Sequence, residues 1–304
     1  MRLPSARATV SQHPGSGLQD FGQFVLLRFA ASLGSPPSRC HGGGAATMGC
    51  AGSNAGGKGA GGVGSVDRSR LVAGPRMAAY LEAAFTPGTR LGMLADYPDV
   101  SVVVHEVTFV TAVRVPSGRL AVGCPFPGEE WLELAERIPS GVHRMEVAWT
   151  RAPYVFMDEA FEGRESAGCR LIIRDEPVAG WEMGLGVERQ PGNMPAREVK
   201  EFGIDTGMGC FADAPSWESL TEPFRRFRET PFPRGPRDTI SLPGGLEAVH
   251  EPATGADLVT VVAAEGVTTV WLGRTARGDI ATVAVVPRVE SVDPSTCIYP
   301  NPWE

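Results

Sequence analysis

The chain of 304 residues is 42% hydrophobic and 21% charged, which is the balance of a globular protein able to bury a substantial core. Its net charge of -7 is uneven, because residues 1–70 hold seven Lys and Arg against two Asp and Glu, whereas the remainder holds 21 against 33. Such an acidic remainder argues against nucleic acid as a partner, since binding to a phosphate backbone needs clustered basic residues. The six cysteines have neither C-x-x-C nor zinc-finger spacing, which indicates free thiols in a reducing, cytoplasmic compartment.

Residues 1–75 are predicted to form a disordered Gly/Ala-rich extension, because residues 41–66 contain almost no large apolar side chains. The apolar run at 21–34 is interrupted by Arg28 and is too short to span a bilayer, so no transmembrane segment is predicted. The arginines, serines and single acid of residues 1–47 are typical of an organelle transit peptide, although translated upstream DNA would have a similar composition.

Within this extension the sequence MGCAGS, residues 48–53, fits the N-myristoylation pattern, and Cys50 stands where palmitoylation often follows. The acyl group is added to an N-terminal glycine, so Gly49 is a lipidation site only if translation starts at Met48. Two acyl groups would then tether the protein to a membrane. The alternative is a chance match within a Gly/Ala-rich tract.

The ordered part is predicted as one domain over residues 76–290, followed by a C-terminal tail at 291–304. Hydrophobic periodicity predicts helices at 76–85, 128–137 and 214–229, the last N-capped by Asp213. Alternating or β-branched runs predict strands at 100–115, 119–126, 142–150, 168–174, 178–188, 259–264, 268–273 and 279–286. The pattern indicates an α+β fold, a β-rich single domain of mainly antiparallel strands with two or three helices.

The segment EFGIDTGMGCFADAPSWESL, residues 201–220, gathers glycines, aspartates and a cysteine between a predicted strand and a predicted helix. One interpretation is a nucleophile turn around Cys210, with a histidine brought to it by the fold. A nucleophile elbow, however, has a glycine two positions after the nucleophile, where Ala212 stands here. The alternative is that Cys210 packs beneath a turn whose glycines meet backbone requirements.

The carboxylates Asp205 and Asp213 could form, together with Glu182, a group for acid–base chemistry or a site for a divalent cation. The alternative is that Asp205 binds turn amides while Asp213 caps the following helix. The spacing of the five histidines predicts no metal site, and no cofactor motif is present in the sequence.

Arginines and phenylalanines alternate over residues 223–238. Such interleaving occurs at nucleic-acid and phosphate contacts. It also fits the solvated face and cationic end of an amphipathic helix, which the acidic composition of the domain favours.

Four segments, in chain order, resemble the DUF4241 family of uncharacterised proteins: SGRLAVGCPF, CRLIIRDEPVAGWEMGL, EFGIDTGMGCFADA and GADLVTVVAAEGVTTVWLGRTARGDIATVAV. The resemblance implies a single domain of roughly 200 residues, over about 85–290. The positions that match the family are Gly118, Arg119, Leu120, Trp181, Glu182, Gly203, Asp205, Gly207, Gly209, Cys210, Phe211, Asp213, Gly273 and Gly278.

The chain departs from the family pattern at two places. Cys124 stands where an acid is expected, and a Gly/Asp-bearing loop is reduced to AAEGV at 263–267. The resemblance implies that any activity that depends on this loop in relatives would be lost here. The family brings no established reaction, so it supports a fold rather than a chemistry.

The leading hypothesis is a binding or interaction module for a protein or small-molecule partner. Its acidic recognition surface would be formed by Glu182, Asp205 and Asp213, with further binding residues Trp181, Gly207 and Gly209. The rival hypothesis is a hydrolase-type enzyme that uses these three carboxylates, with or without a divalent ion, or Cys210 as nucleophile. An enzyme would bring the carboxylates within hydrogen-bond or metal-bridging reach of one another.

Overall fold

The structure is a computed structural model that describes residues 71–93, 101–156, 159–187, 202–204, 206–230, 237–262, 266–286 and 303. Residues 1–70 of the extension predicted at 1–75 lie outside the described residues. The tail predicted at 291–304 also lies outside them, apart from Trp303. The described residues all fall within one compact unit, Val63–Glu304.

In chain order the described strands are β1 (Arg90–Met93), β2 (Ser101–Val115), β3 (Leu120–Gly123), β4 (Trp131–Glu133), β5 (Gly141–Phe156), β6 (Glu159–Ile172), β7 (Gly180–Met183), β8 (Phe202–Ile204), β9 (Met208–Asp213), β10 (Ile240–Ser241), β11 (Glu247–Glu251), β12 (Ala256–Val262), β13 (Gly266–Arg274) and β14 (Ile280–Val286). The described α-helices are α1 (Pro75–Ala84) and α2 (Trp217–Glu229), and short 3-10 turns lie at Ala214–Ser216 and Pro243–Gly245. Neither of these two α-helices is long and apolar enough to cross a membrane.

The strands form two sheets in which the neighbouring described strands run antiparallel. The first sheet has the order β1-β2-β5-β6-β14-β13-β7, with β8 beside β13. The second has the order β10-β11-β12-β9-β3-β4. The prediction of a β-rich α+β fold with mainly antiparallel strands is therefore confirmed.

The two sheets enclose a central apolar core, and one helix covers the outer face of each sheet. Val147 of β5 and Phe211 of β9 meet in the central core. Helix α1 packs Leu81 into a second cluster that contains Trp271 of β13. Helix α2 packs Leu220 into a third cluster on the other face of the second sheet. The described residues thus form four layers, helix, sheet, sheet and helix, because each strand alternates its side chains between two buried faces.

The helix predicted at 128–137 is wrong, because residues 131–133 form strand β4 beside β3. The helix predicted at 214–229 is confirmed, with a 3-10 turn followed by α2. Ser216 occupies the N-cap position of α2, and Asp213 makes no side-chain capping bond. The segment around Cys210 is not a turn but β9, which lies between β12 and β3 inside the second sheet.

Candidate functional site

The predicted site residue Glu182 lies on β7 and binds a buried arginine. Arg274 is 7% exposed, and its Nε–H donates to Glu182 Oε2 at 2.9 Å while its terminal nitrogen donates to Glu136. Burial alone would lower the pKa of the Arg274 guanidinium, but Glu136 and Glu182 outweigh burial and raise that pKa. Glu182 therefore neutralises a buried cation within the fold.

Asp213, at the end of β9, is 2% exposed and accepts hydrogen bonds from two serines. Its Oδ1 accepts from the Ser117 backbone N–H at 3.0 Å and from the Ser117 hydroxyl at 2.6 Å. Its Oδ2 lies 3.4 Å from the Ser216 hydroxyl. The carboxylate thus ties the turn before β3 to the end of β9, which differs from the helix cap expected from the sequence.

The structure places two of the three predicted carboxylates, Glu182 and Asp213, apart from each other. Glu182 belongs to the first sheet and Asp213 to the second, and each has its own partners. Asp205 lies outside the described residues, and so do the lipidation candidates Gly49 and Cys50. In the part of the chain that the structure describes, no three His, Cys, Asp or Glu side chains are grouped so that they could hold a metal ion.

Cys210 is fully buried in the cluster between the second sheet and α2, where it lies among Leu220 and Phe224. Burial raises the pKa of its thiol well above the usual value. Because the thiolate is the nucleophilic form, this thiol stays protonated and inert at neutral pH. Among the described histidines, His143 lies against the Pro139 carbonyl and His250 against Asp257, so neither is bound to Cys210. This environment matches the packing interpretation of Cys210.

Of the three predicted binding residues, Trp181 and Gly209 are buried and Gly207 is half-buried. Trp181 is 3% exposed, and its indole N–H donates to Glu82 of α1 at 2.8 Å, which joins the helix to β7. Gly207 has a φ of 67°, a conformation that favours glycine, and it leads the chain into β9. Gly209 is buried within β9. None of the three presents a side chain to solvent.

The first part of the arginine- and phenylalanine-rich segment, residues 223–229, lies on the amphipathic helix α2, which was one of its two interpretations. Arg225 and Arg226 on α2 both pair with Glu222 of the same helix, at 2.5 Å and 2.7 Å. Phe224 points inward and is fully buried. Arg225 and Arg226 thus belong to a solvated helix face stabilised by local pairs at i, i+3 and i, i+4 spacing.

An aromatic surface that the sequence did not predict lies where β4 meets the start of α2. The ring of Trp131 stacks on the ring of Trp217, with centroids 4.5 Å apart and planes 16° apart. Trp217 is 7% exposed, whereas Trp131 is 41% exposed, so one face of the Trp131 ring meets its partner and the other meets solvent. We call Trp131 and Trp217 the tryptophan platform.

The backbone of β4 reaches this position because of a glycine on the neighbouring strand. Gly123 of β3 pairs with Trp131, and a Cβ added at Gly123 would lie 2.3 Å from the Trp131 Cα. Any larger residue at 123 would therefore push β4 away. Val187 pairs across the outer edge of β4, where its N–H donates to the Glu133 carbonyl at 2.9 Å, and it is 53% exposed. A second exposed apolar side chain thus lies on the residue that bonds to Glu133, two residues along β4 from Trp131.

Acidic side chains border the tryptophan platform. Glu130 precedes Trp131 and Glu218 follows Trp217, and both glutamates are exposed. Glu218 makes no ion pair or side-chain hydrogen bond within the described residues. We call Glu130 and Glu218 the acidic rim.

Sequence reasoning missed the platform because residues 128–137 fit a helix, which would place Trp131 on a buried apolar face. The residue pair that forms the stack is 86 positions apart in the chain, so no local pattern links them. A usable signal was Gly123, since a glycine in a predicted strand often marks close approach of another backbone.

The comparisons with known proteins place this geometry in one family. The family model described as "Protein of unknown function (DUF4241)" matches residues 113–285, which is more than half of the chain and includes β3 to β13, both rings of the platform and the acidic rim. A search of curated proteins and a search of solved structures found no match.

Proposed function

The chain belongs to the DUF4241 family, and on that premise we propose that its domain is a binding module that recognises a protein partner through the tryptophan platform and the acidic rim. The observation that carries this proposal is the 41% exposed Trp131 ring held in a parallel stack by the buried Trp217. A large aromatic ring that is fixed before binding offers contact area at a low cost in conformational entropy.

Two general properties of binding surfaces support the proposal. Tryptophan is enriched among the residues that contribute most to the free energy of protein–protein binding. Val187, which bonds to β4 at Glu133, is also exposed, so the surface around β4 combines apolar and charged side chains, as an interface core with a polar border does.

The proposal therefore assigns the acidic recognition surface to residues other than those predicted from the sequence. Glu182 and Asp213 are largely buried and have partners inside the fold. Glu130 and Glu218 are both exposed, and Glu218 makes no ion pair within the described residues. The acidic balance of residues 71–304, with 33 Asp and Glu against 21 Lys and Arg, favours a basic partner through long-range attraction.

The described residues do not support the hydrolase alternative. The thiol of Cys210 is buried and protonated, and the carboxylates of Glu182 and Asp213 belong to separate hydrogen-bond networks on different sheets. General acid–base or nucleophilic catalysis needs groups that share a substrate-sized space.

The first prediction is that Trp131→Ala abolishes peptide selection. The full-length protein is used to select binders from a displayed library of random peptides, and enrichment is counted after three rounds. We expect the unmodified protein to enrich a sequence family that W131A no longer enriches, because the stacking surface is gone. The control is Phe109→Ala, which removes another exposed aromatic side chain from β2 in the first sheet.

Circular dichroism and thermal unfolding check that both variants fold. Equal enrichment by W131A and the unmodified protein would exclude the platform as the binding surface. A selection in which no peptide is enriched by the unmodified protein would count against the binding-module proposal itself.

A further inference from the structure

We propose that the group bound on the tryptophan platform is the guanidinium of an arginine in a basic segment of the partner protein. This inference rests on the proposed function, since it names the chemistry that the same surface recognises. Three features of the molecule support it: the way this fold already holds its own arginines, the groups present at the platform, and the partners of the arginines nearby.

The fold holds one of its own arginines with aromatic rings and a glutamate. The guanidinium carbon of Arg237 lies 5.6, 5.5 and 5.0 Å from the ring centroids of Phe126, Phe224 and Phe227. The Nε–H of Arg237 donates to Glu247 Oε2 at 2.9 Å. A guanidinium is planar and charged, so it can be attracted to the faces of aromatic rings while its N–H groups donate hydrogen bonds to a carboxylate.

The same combination recurs on the first sheet. The guanidinium of Arg170 lies 4.6 Å from the ring centroid of Phe85, and its terminal nitrogen donates to Glu146 Oε2 at 2.8 Å. Two separate places in the fold therefore pair a guanidinium with an aromatic ring and a glutamate.

The tryptophan platform offers an exposed ring next to Glu218, and no cation of the described residues pairs with Glu218. Tryptophan is the best aromatic residue for cation–π attraction, and the outer face of the Trp131 ring is open to solvent. Glu218 is exposed and has no ion-pair partner within the described ranges. A guanidinium laid on Trp131 could donate to a rim carboxylate in the same plane, which the compact ammonium of lysine does less well.

Two arginines, one directly before β3 in the second sheet and one on α2, already have partners of their own within the ranges that the structure describes. Arg228 donates to Glu129 and to the Pro127 carbonyl, at 3.3 and 3.1 Å. Arg119 donates to Glu133 through two nitrogens at 2.6 and 2.7 Å. The acidic balance of the ordered part adds a general attraction for a basic segment.

The experiment uses three labelled decapeptides that differ only at four positions, which carry arginine, lysine or citrulline. Binding to the full-length protein is measured by fluorescence anisotropy at two salt concentrations. We expect the arginine peptide to bind about tenfold more tightly than the lysine peptide, because only a guanidinium both stacks and donates in plane. The citrulline peptide keeps the planar shape without the charge, and we expect no measurable binding.

Variants distinguish binding at the tryptophan platform from attraction to the overall negative charge of the protein. Trp131→Ala and Glu218→Gln are each expected to weaken binding of the arginine peptide about fivefold or more. The matched control for charge is Asp175→Asn, since Asp175 is an exposed acid between β6 and β7. We expect D175N to bind as the unmodified protein does.

Three outcomes would overturn the inference. Equal binding of the arginine and lysine peptides with no effect of W131A or E218Q would indicate general charge attraction alone. A library selection that depends on Trp131 but enriches peptides without arginine would overturn the guanidinium assignment and leave the proposed function standing. Absence of any peptide binding, in the library and in the anisotropy measurements, would count against both.

Discussion

At the scale of single residues, Glu182 and Asp213, two of the three carboxylates that looked functional in the sequence, bind groups inside the fold. Asp213 accepts three hydrogen bonds and Glu182 binds the buried Arg274. Removing an aspartate or glutamate of this kind leaves buried donors or a buried cation without a partner. The loss in stability is then larger than the net free energy that the hydrogen bond contributes. The solvent-facing Glu218 has no such role.

Asp213→Asn tests this structural role. The substitution keeps the shape of the side chain but replaces the charged carboxylate, which accepts hydrogen bonds from the Ser117 N–H and hydroxyl, with a neutral amide. We therefore expect the free energy of unfolding to fall by about 1.5–3 kcal/mol. Denaturant-induced unfolding, monitored by tryptophan fluorescence, measures this free energy of unfolding. The matched control is Asp238→Asn at an exposed aspartate, where we expect no change. A D213N protein as stable as the unmodified one would contradict the assigned role.

At the scale of elements, the short strand β4 decides where the candidate site lies. Its three residues pair with β3 on one side, and the Val187 N–H donates to the Glu133 carbonyl on its other edge. Leu132 faces the central core while Trp131 faces the α2 side of the second sheet, because neighbouring residues in a strand point to opposite faces. A helix at the same residues could not divide these side chains between two layers in this way.

Gly123→Ala should displace β4 and dissolve the tryptophan stack. The new Cβ would collide with the Trp131 backbone, and overpacking of this kind costs about 1–3 kcal/mol. We expect a lower unfolding midpoint and loss of the near-ultraviolet circular dichroism signal of the stacked rings. The control is Gly180→Ala on β7, where an added Cβ would meet no atom within 4 Å. Unchanged spectra for G123A would show that β4 does not depend on the glycine.

At the scale of the whole molecule, the described part of the chain depends on contacts that lie outside the span matched by the family model. Helix α1 and most of β2 precede residue 113, yet α1 covers the outer face of the first sheet. Trp271 and Met183 beneath it are 0% and 1% exposed. Without α1 these side chains would meet water, which exposes a large apolar surface.

We therefore expect a fragment of residues 71–304 to unfold cooperatively at the same temperature as the full chain. A fragment of residues 113–304, which lacks α1, β1 and most of β2, is expected to show no cooperative transition. Thermal unfolding by circular dichroism and dye binding to exposed apolar surface measure both. A cooperative 113–304 fragment would mean that α1 is dispensable for the domain.

The sequence by itself determined the fold class and most of the long strands, because alternation along a strand and periodicity along a helix are local consequences of which face is buried. It also predicted the helices at 76–85 and 214–229, and the resemblance to the family that the family match later confirmed. The stretch at 128–137 shows the limit of local patterns, since its acids and apolar spacing fit a helix equally well.

Only the tertiary structure decided which residues meet. It separated Glu182 from Asp213, buried Cys210 and Trp181, and stacked Trp131 on Trp217 across 86 positions of chain. The physical reason is that pairing between distant strands, and the burial that follows from it, depends on the whole set of neighbours rather than on any one segment. The candidate site of this protein depends on such a pairing, because the three-residue strand β4 pairs with β3 at Gly123 and thereby places Trp131 against Trp217.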